Sequence, residues 1–180
     1  MHYQTTISET ISLSGPGLHT GKYTHVSLKP ASADTGILFF RSDLGSSALV
    51  PALVDNVRDT NHGTTIAKGE AAISTIEHLM SALHGMQVDN VVVDVDGPEI
   101  PILDGSARLW VDQIAMVGLT QLDAERRYIT LQHPVEWSDS DSGIMMLAEP
   151  SECFSVECNI EFKSELIGSQ QACINGFEDY

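Results

Sequence analysis

In the stretch STIEHLMSALHG (74–85) a carboxylate, Glu77, directly precedes an imidazole, His78. Side by side at the start of a helix, the two residues read either as part of a metal site or as ordinary helix-start chemistry. Spacing limits the first reading. The HExxH motif and its reversed form each need two metal-binding histidines one turn apart, and the reversed form would need a histidine at 74, where the chain has Ser. His2, His19, His25, His62, His84 and His133 likewise have no acid or second histidine four residues on. At most one zinc ligand comes from this helix, and the metal site is incomplete from within the chain. The plainer reading makes Ser74 and Glu77 a capping box that satisfies open N–H groups at the helix start, with His78 a surface residue.

The periodicity predicts a helix over 74–84. Ile76, Leu79, Met80 and Leu83 form its core-facing stripe, while Glu77 and His78 fall at about 100° and 200° from Ile76, toward solvent or a cleft. Ser81 and Ala82 lie on that side and are small enough for a ligand or another domain to approach. The acidic loop DGPEIPILDGS (96–106) carries two prolines, and its Asp96 and Asp104 suit turn closure better than cation binding. His19, among glycines in GLHTG, reads as a structural hydrogen-bonding group outside the site. The segment TNHGTTIAKG (60–69) reads as a loop leading into the helix, with Asn61 and His62 as open substrate-contact candidates.

These residues need a scaffold. TTISETISLSG and YTHVSLKP alternate polar with apolar and read as antiparallel strands joined by the wide connection SGPGLHTG. GILFFRSD is a third strand, and VDNVVVDVDG a fourth, whose β-branched density predicts a central place in its sheet. GSARLWVDQIAMVGL predicts a second helix, with Ser106 as N-cap, an apolar face of Leu109, Trp110, Ile114 and Val117, and Gly118 at the stop. The pattern predicts an α+β fold, a two-layer sandwich of sheet and helices. The charged segment TQLDAERRYI sets a boundary near 122–127, giving a complete first domain over 1–124 that carries the Glu-His helix. Residues 125–180 would then begin a second, incomplete α+β domain, with strand signals in YITLQHPVEW, GIMMLAEP and CFSVECNIEF and no helix signal.

Twenty-five acids against nine bases give a net charge of −16, a field that repels nucleic acid and anionic lipid headgroups. An anionic small substrate would need local donors or a metal. Cys153, Cys158 and Cys173 are read as free thiols, since the chain has no CxxC pair for a zinc knuckle. There is no signal-peptide pattern and no long apolar run, so the expected location is cytoplasmic with no transmembrane segment.

GPGLHTGK (15–22), ISTIEHLMSAL (73–83) and DGPEIPILDGSA (96–107), in that order and spacing, resemble the N-terminal portion of the UDP-3-O-acyl-N-acetylglucosamine deacetylases, zinc enzymes of lipid A biosynthesis. LKPASADTGILFFRSDL (28–44) and VRDT (57–60) extend the resemblance over nearly residues 1–125, and it continues more weakly to the end. It implies two similar domains with the active site between them, His78 as a Zn2+ ligand, and Glu77 as the catalytic base that activates water. It further implies a UDP-acyl-sugar substrate. The family's other protein ligands, a His and an Asp one turn apart in the second domain, and a later acid/base histidine have no counterpart here. The expectation is a truncated hydrolase, the front part of the deacetylase, inactive alone and awaiting zinc ligands from its C-terminal part. The alternative is a non-catalytic binding or regulatory module built on the same first domain. Assembly with a separate chain that supplies the missing ligands is a third reading, and an unfinished sheet edge predicts self-association.

Overall fold

A computed structural model of the chain describes residues 2–45, 48–141, 144–152 and 154–176, and it divides into two compact units, Met1–Arg126 and Arg127–Tyr180. Strands and helices are mixed, in agreement with the α+β expectation. The first unit runs β1 (Tyr3–Ile7), β2 (Ile11–Pro16), β3 (Tyr23–Pro30), β4 (Ile37–Arg41), β5 (Leu49–Pro51), β6 (Val57–Asp59), β7 (Thr65–Lys68) and β8 (Ala71–Ile73). Helix α1 (Glu77–Gly85), β9 (Val91–Val95), α2 (Arg108–Val117) and β10 (Leu119–Glu125) complete it.

The main sheet has the order β2-β3-β9-β4-β5, so the valine-rich strand is central, as its composition predicts. Its pairings are antiparallel except β4 with β9. Register carries one apolar row across all five strands: Ile11 faces Leu28, Leu28 faces Val93, Val93 faces Phe39, and Phe39 faces Val50. All five side chains are buried, whereas Val92 and Asp94 on β9 are half-buried, the period-2 alternation of a sheet with one core face. Ile76, Leu79, Ala82 and Leu83 of the α1 region and Trp110 and Ile114 of α2 enter the same core cluster.

The N-cap of α2 falls on Ala107, one residue after the expected Ser106, and makes no side-chain cap bond; Ser106 Oγ accepts the Arg108 N–H at 3.1 Å from the turn before it, while Asp104 Oδ1 accepts the Ser106 N–H at 3.0 Å. At the other end Gly118 takes φ +73°, a conformation that costs glycine little. The opening segment differs from expectation, because TTISETISLSG forms two strands rather than one. β2 stays in the main sheet, while β1 pairs with β10. The charged stretch read as a boundary therefore contributes a strand, Leu119–Glu125. Arg126 closes this corner with a 2.7 Å ion pair to Asp89, which also accepts the Thr5 N–H. The expected loop over 60–69 also contains a strand, β7, the middle strand of the antiparallel sheet β6-β7-β8. β6, β7 and β8 are three or four residues long, too short for an alternation pattern to show.

The second unit contains β11 (Val135–Asp139) paired with β12 (Ile144–Ala148) and β13 (Ser155–Glu161) paired with β14 (Ser169–Asn175), both antiparallel. β14 lies outside the three strand signals of this region. Its sequence, SQQACIN, is mostly polar, and cross-strand pairing rather than hydrophobic patterning defines it. Cys158 and Cys173 are exposed free thiols, and Cys153 lies outside the described residues. No helix among the described residues is long and apolar enough to cross a membrane.

The apolar row makes Phe39 the central aromatic support of the sheet. Phe39→Ala is expected to lower the unfolding free energy of the chain by about 3–5 kcal/mol in urea titrations.

Candidate active site

Thr75 sets the start of α1. It adopts φ +58°, a left-handed conformation unfavourable for a β-branched residue, and the chain turns into the helix only after it. The capping box is therefore absent. The helix starts at Glu77 after Ile76, with no side-chain cap. Ser74 Oγ instead donates to the Pro98 carbonyl at 3.2 Å, and Glu77 Oε2 accepts the backbone N–H of Thr64 at 2.9 Å. The buried face is also wider than the expected stripe. Ala82 is fully buried in the core, so it offers no approach surface, whereas Glu77, His78 and Ser81 are half-buried.

The acidic loop lies directly against this turn. Ser74 N–H donates to the Pro98 carbonyl at 2.9 Å and Ile100 N–H to the Ser74 carbonyl at 3.1 Å, a parallel bridge that brings Glu99 beside Thr75. The Glu99 side chain is completely buried. Its Oε1 accepts the His19 N–H at 2.8 Å and the Thr75 hydroxyl at 3.1 Å, and its Oε2 accepts the Thr20 N–H at 2.8 Å and the Thr20 hydroxyl at 2.6 Å. The 17–20 backbone passes so close that a Cβ on Gly17 would sit 2.3 Å from Glu99 Oε2. Only glycine fits there.

The same contact places His19, whose side chain has the structural hydrogen-bonding role expected of it. Its Nε2 lies 3.1 Å from the His62 carbonyl, and because a carbonyl only accepts, Nε2 is the donor. His62 itself has φ +58°. Around the next residue, Gly63, three groups converge: a Cβ there would be 3.4 Å from Glu77 Oε1, 3.6 Å from His19 Nε2 and 3.8 Å from Thr75 Oγ1. Beside Glu77 opens an apolar groove of about 380 Å³, lined by Leu53, Val54, Val57, Ile66, Ile76 and Met80 among others.

Asp104 plays the turn role expected of it, whereas Asp96 bonds across to His25 on β3 rather than closing a turn. Asp96 Oδ1 accepts the His25 N–H at 2.7 Å and its Oδ2 meets His25 Nδ1 at 2.8 Å, while Asp104 closes the turn into α2. Glu99, between them, was not singled out from sequence. Its flanking prolines advertise a stiff turn, but nothing in the local pattern says that the glutamate points inward. The roles of Thr75 and His19 likewise arise from contacts distant in sequence, Glu99 lying 24 residues from the first and 80 from the second.

Catalytic zinc takes three protein donors. Among the described residues no three His, Cys, Asp or Glu side chains converge, so they do not by themselves make up such a centre.

The fold and site define an α+β protein that presents a carboxylate–imidazole pair at a helix start beside an apolar groove. The chain belongs to the family LpxC, UDP-3-O-acyl N-acetylglycosamine deacetylase, whose pattern matches residues 4–179. It is 39 % identical over 170 residues to the UDP-3-O-acyl-N-acetylglucosamine deacetylase of Syntrophus aciditrophicus (strain SB), covering 94 % of this chain and 53 % of that protein. Identity to the deacetylase of Geobacter sp. (strain M21) is 41 % over 170 residues, covering 94 % and 55 %. The bifunctional enzyme LpxC/FabZ of Porphyromonas gingivalis (strain ATCC BAA-308 / W83) is 38 % identical over all 180 residues, 39 % of its own length. The chain thus spans about half the length of the curated deacetylases it matches.

Burial pushes the Glu99 carboxyl up, but the hydrogen bonds from His19, Thr20 and Thr75 outweigh it and hold its pKa below the ordinary glutamate value. A depressed pKa contributes stability that is present above the unfolded-state value and lost as pH falls through the folded one. Acid unfolding below about pH 4.3 should therefore include a Glu99 component. Glu99→Gln is expected to cost about 1–3 kcal/mol at neutral pH and to flatten the pH dependence below that point, measured by denaturant titrations across pH.

Proposed function

We propose that these residues form the part of a UDP-3-O-acyl-N-acetylglucosamine deacetylase of lipid A biosynthesis that carries the catalytic base, Glu77, and one zinc ligand, His78. The observation that carries the reading is the geometry of Glu77: one carboxylate oxygen is held by the Thr64 N–H, the other lies close against Gly63, and the residue lines the apolar groove. Family membership supports the substrate class, an acylated UDP-sugar bearing an N-acetyl group.

In this mechanism Glu77 takes a proton from the attacking water as its oxygen bonds to the acetyl carbonyl carbon. The tetrahedral species then collapses, the C–N bond breaks, and the proton passes to the departing sugar amine, releasing acetate. Zinc, when bound, acidifies water and polarises the carbonyl. The remaining ligands would come from the further half of the sequence that the relatives possess, in a second domain of similar sheet-and-helix build. The same reading makes residues 1–124 the first domain and 125–180 the start of that second one. It places the protein in the cytoplasm with its nucleotide-sugar substrate, leaves the 180 residues inactive alone, and gives the isolated chain a tendency to self-associate through unfinished strand edges.

The first test is zinc stoichiometry on the 180-residue chain with His78→Ala beside it. Weak or absent zinc is expected; tight, one-to-one, His78-dependent binding would overturn the division of ligands. In a polypeptide of the relatives' length that contains these residues, Glu77→Gln should lower kcat for acetate release by roughly 10²- to 10⁴-fold with KM little changed. Absence of turnover in that longer polypeptide with zinc bound would favour the binding-module alternative.

A further inference from the structure

We propose that Glu99, a residue outside the Glu-His pair, is a positioning residue that sets the orientation of the Glu77 carboxylate. The inference rests on Glu77 being the base, and the geometry points to it along two branches that start at one buried carboxylate and meet at Glu77.

The first branch is short. Glu99 Oε1 accepts the Thr75 hydroxyl at 3.1 Å, which anchors Thr75 at φ +58° two residues before Glu77. A left-handed, β-branched residue is costly and persists only when its surroundings over-determine it. This contact, together with the Ser74 bridge to Pro98 and Ile100, does so and thereby aims the first turn of α1.

The second branch runs through the glycine loop. Glu99 holds the backbone N–H groups of His19 and Thr20, each at 2.8 Å, which fixes where the His19 ring can reach. His19 Nε2 donates to the His62 carbonyl, the His62 backbone is left-handed, and two residues later the Thr64 N–H donates to Glu77 Oε2. The branches close a ring of hydrogen bonds and backbone: Glu99, His19, His62, Thr64, Glu77, Thr75 and back to Glu99. A carboxylate that served packing alone would need its own donors but would have no reason to have both ends of its network terminate at one half-exposed glutamate. Gly17 adds to the constraint, because the loop passes so close to Glu99 that a Cβ there would lie 2.3 Å from its Oε2.

The test follows the Thr64 amide, which reports its bond to Glu77, by ¹⁵N NMR of the 180-residue chain. Glu99→Gln and Thr75→Val are expected to shift the Thr64 amide proton upfield and speed its exchange with solvent. Thr75→Ser keeps the hydroxyl and should leave the signal at its wild-type position. Ile114→Val, in the core on α2, lowers stability without touching the ring and should leave it too. If Glu99→Gln fails to fold, the Thr75→Val and Thr75→Ser pair decides. An unmoved Thr64 signal in a folded Thr75→Val chain overturns the proposal. In the longer polypeptide, Glu99→Gln or Thr75→Val should lower kcat by roughly 10- to 100-fold with KM nearly constant, and Thr75→Ser should restore it. A displaced Thr64 signal with unchanged kcat also overturns the positioning role. If the wild-type longer polypeptide does not release acetate, the deacetylase reading fails, and the Thr64 signal still decides whether Glu99 orients Glu77.

Discussion

A fully buried carboxylate with neutral donors is the constraint on which the site end of this fold depends. Removing the charge of Glu99 from water is strongly unfavourable unless hydrogen bonds replace hydration. Two backbone N–H groups and two hydroxyls do so here. Those donors come from residues 19–20 and 75, so the three chain segments must arrive together or the carboxylate is left without partners. This cooperativity ties the end of β2, the entry to α1 and the loop after β9 into one unit, although they are distant in sequence.

The sheet makes that meeting geometrically available. β2 and β9 both pair with β3, and the apolar row from Ile11 through Val93 to Val50 fixes their register. A one-residue slip would turn that row to the solvent face, so register is strongly specified. With register fixed, Gly15 and Pro16 at the end of β2 lie against the loop after β9: Ile102 N–H donates to the Pro16 carbonyl at 3.1 Å. The core thus sets the distance across which Glu99 reaches the 17–20 loop. The left-handed residues Thr75 and His62 sit where the chain turns on either side of Glu77.

How much of this the sequence discloses depends on the range of each interaction. Period-2 alternation in YTHVSLKP and the valine run of 91–95 report burial directly, and both strands fall where the pattern puts them. Ser106 and Gly118 bracket α2 through local bonds, so their roles are visible in a window of a few residues. Glu77 and His78 stand out by residue type, and three ordered motifs disclose the family. The apparent capping box misleads because its two side chains are claimed by longer-range partners, Pro98 and Thr64, a competition no local pattern reveals. Glu99 and His19 escape for the same reason: each reads as a turn residue, and only the fold shows that one organises the backbone of the other.

Every described bond that orients Glu77 comes from within the first unit. Thr64 holds one oxygen, and the second faces Gly63 beside His19 and Thr75. The orientation of the Glu77 carboxylate is thus set by bonds among residues 17–100. A catalytic zinc, by contrast, takes three protein donors, and no three His, Cys, Asp or Glu side chains converge among the described residues. A base fixed in advance loses little by reorganising when substrate arrives, which is where preorganised sites obtain their advantage over water. On the proposed reading, positioning of the base and completion of a metal site are separate physical problems, and the buried carboxylate of Glu99 addresses the first.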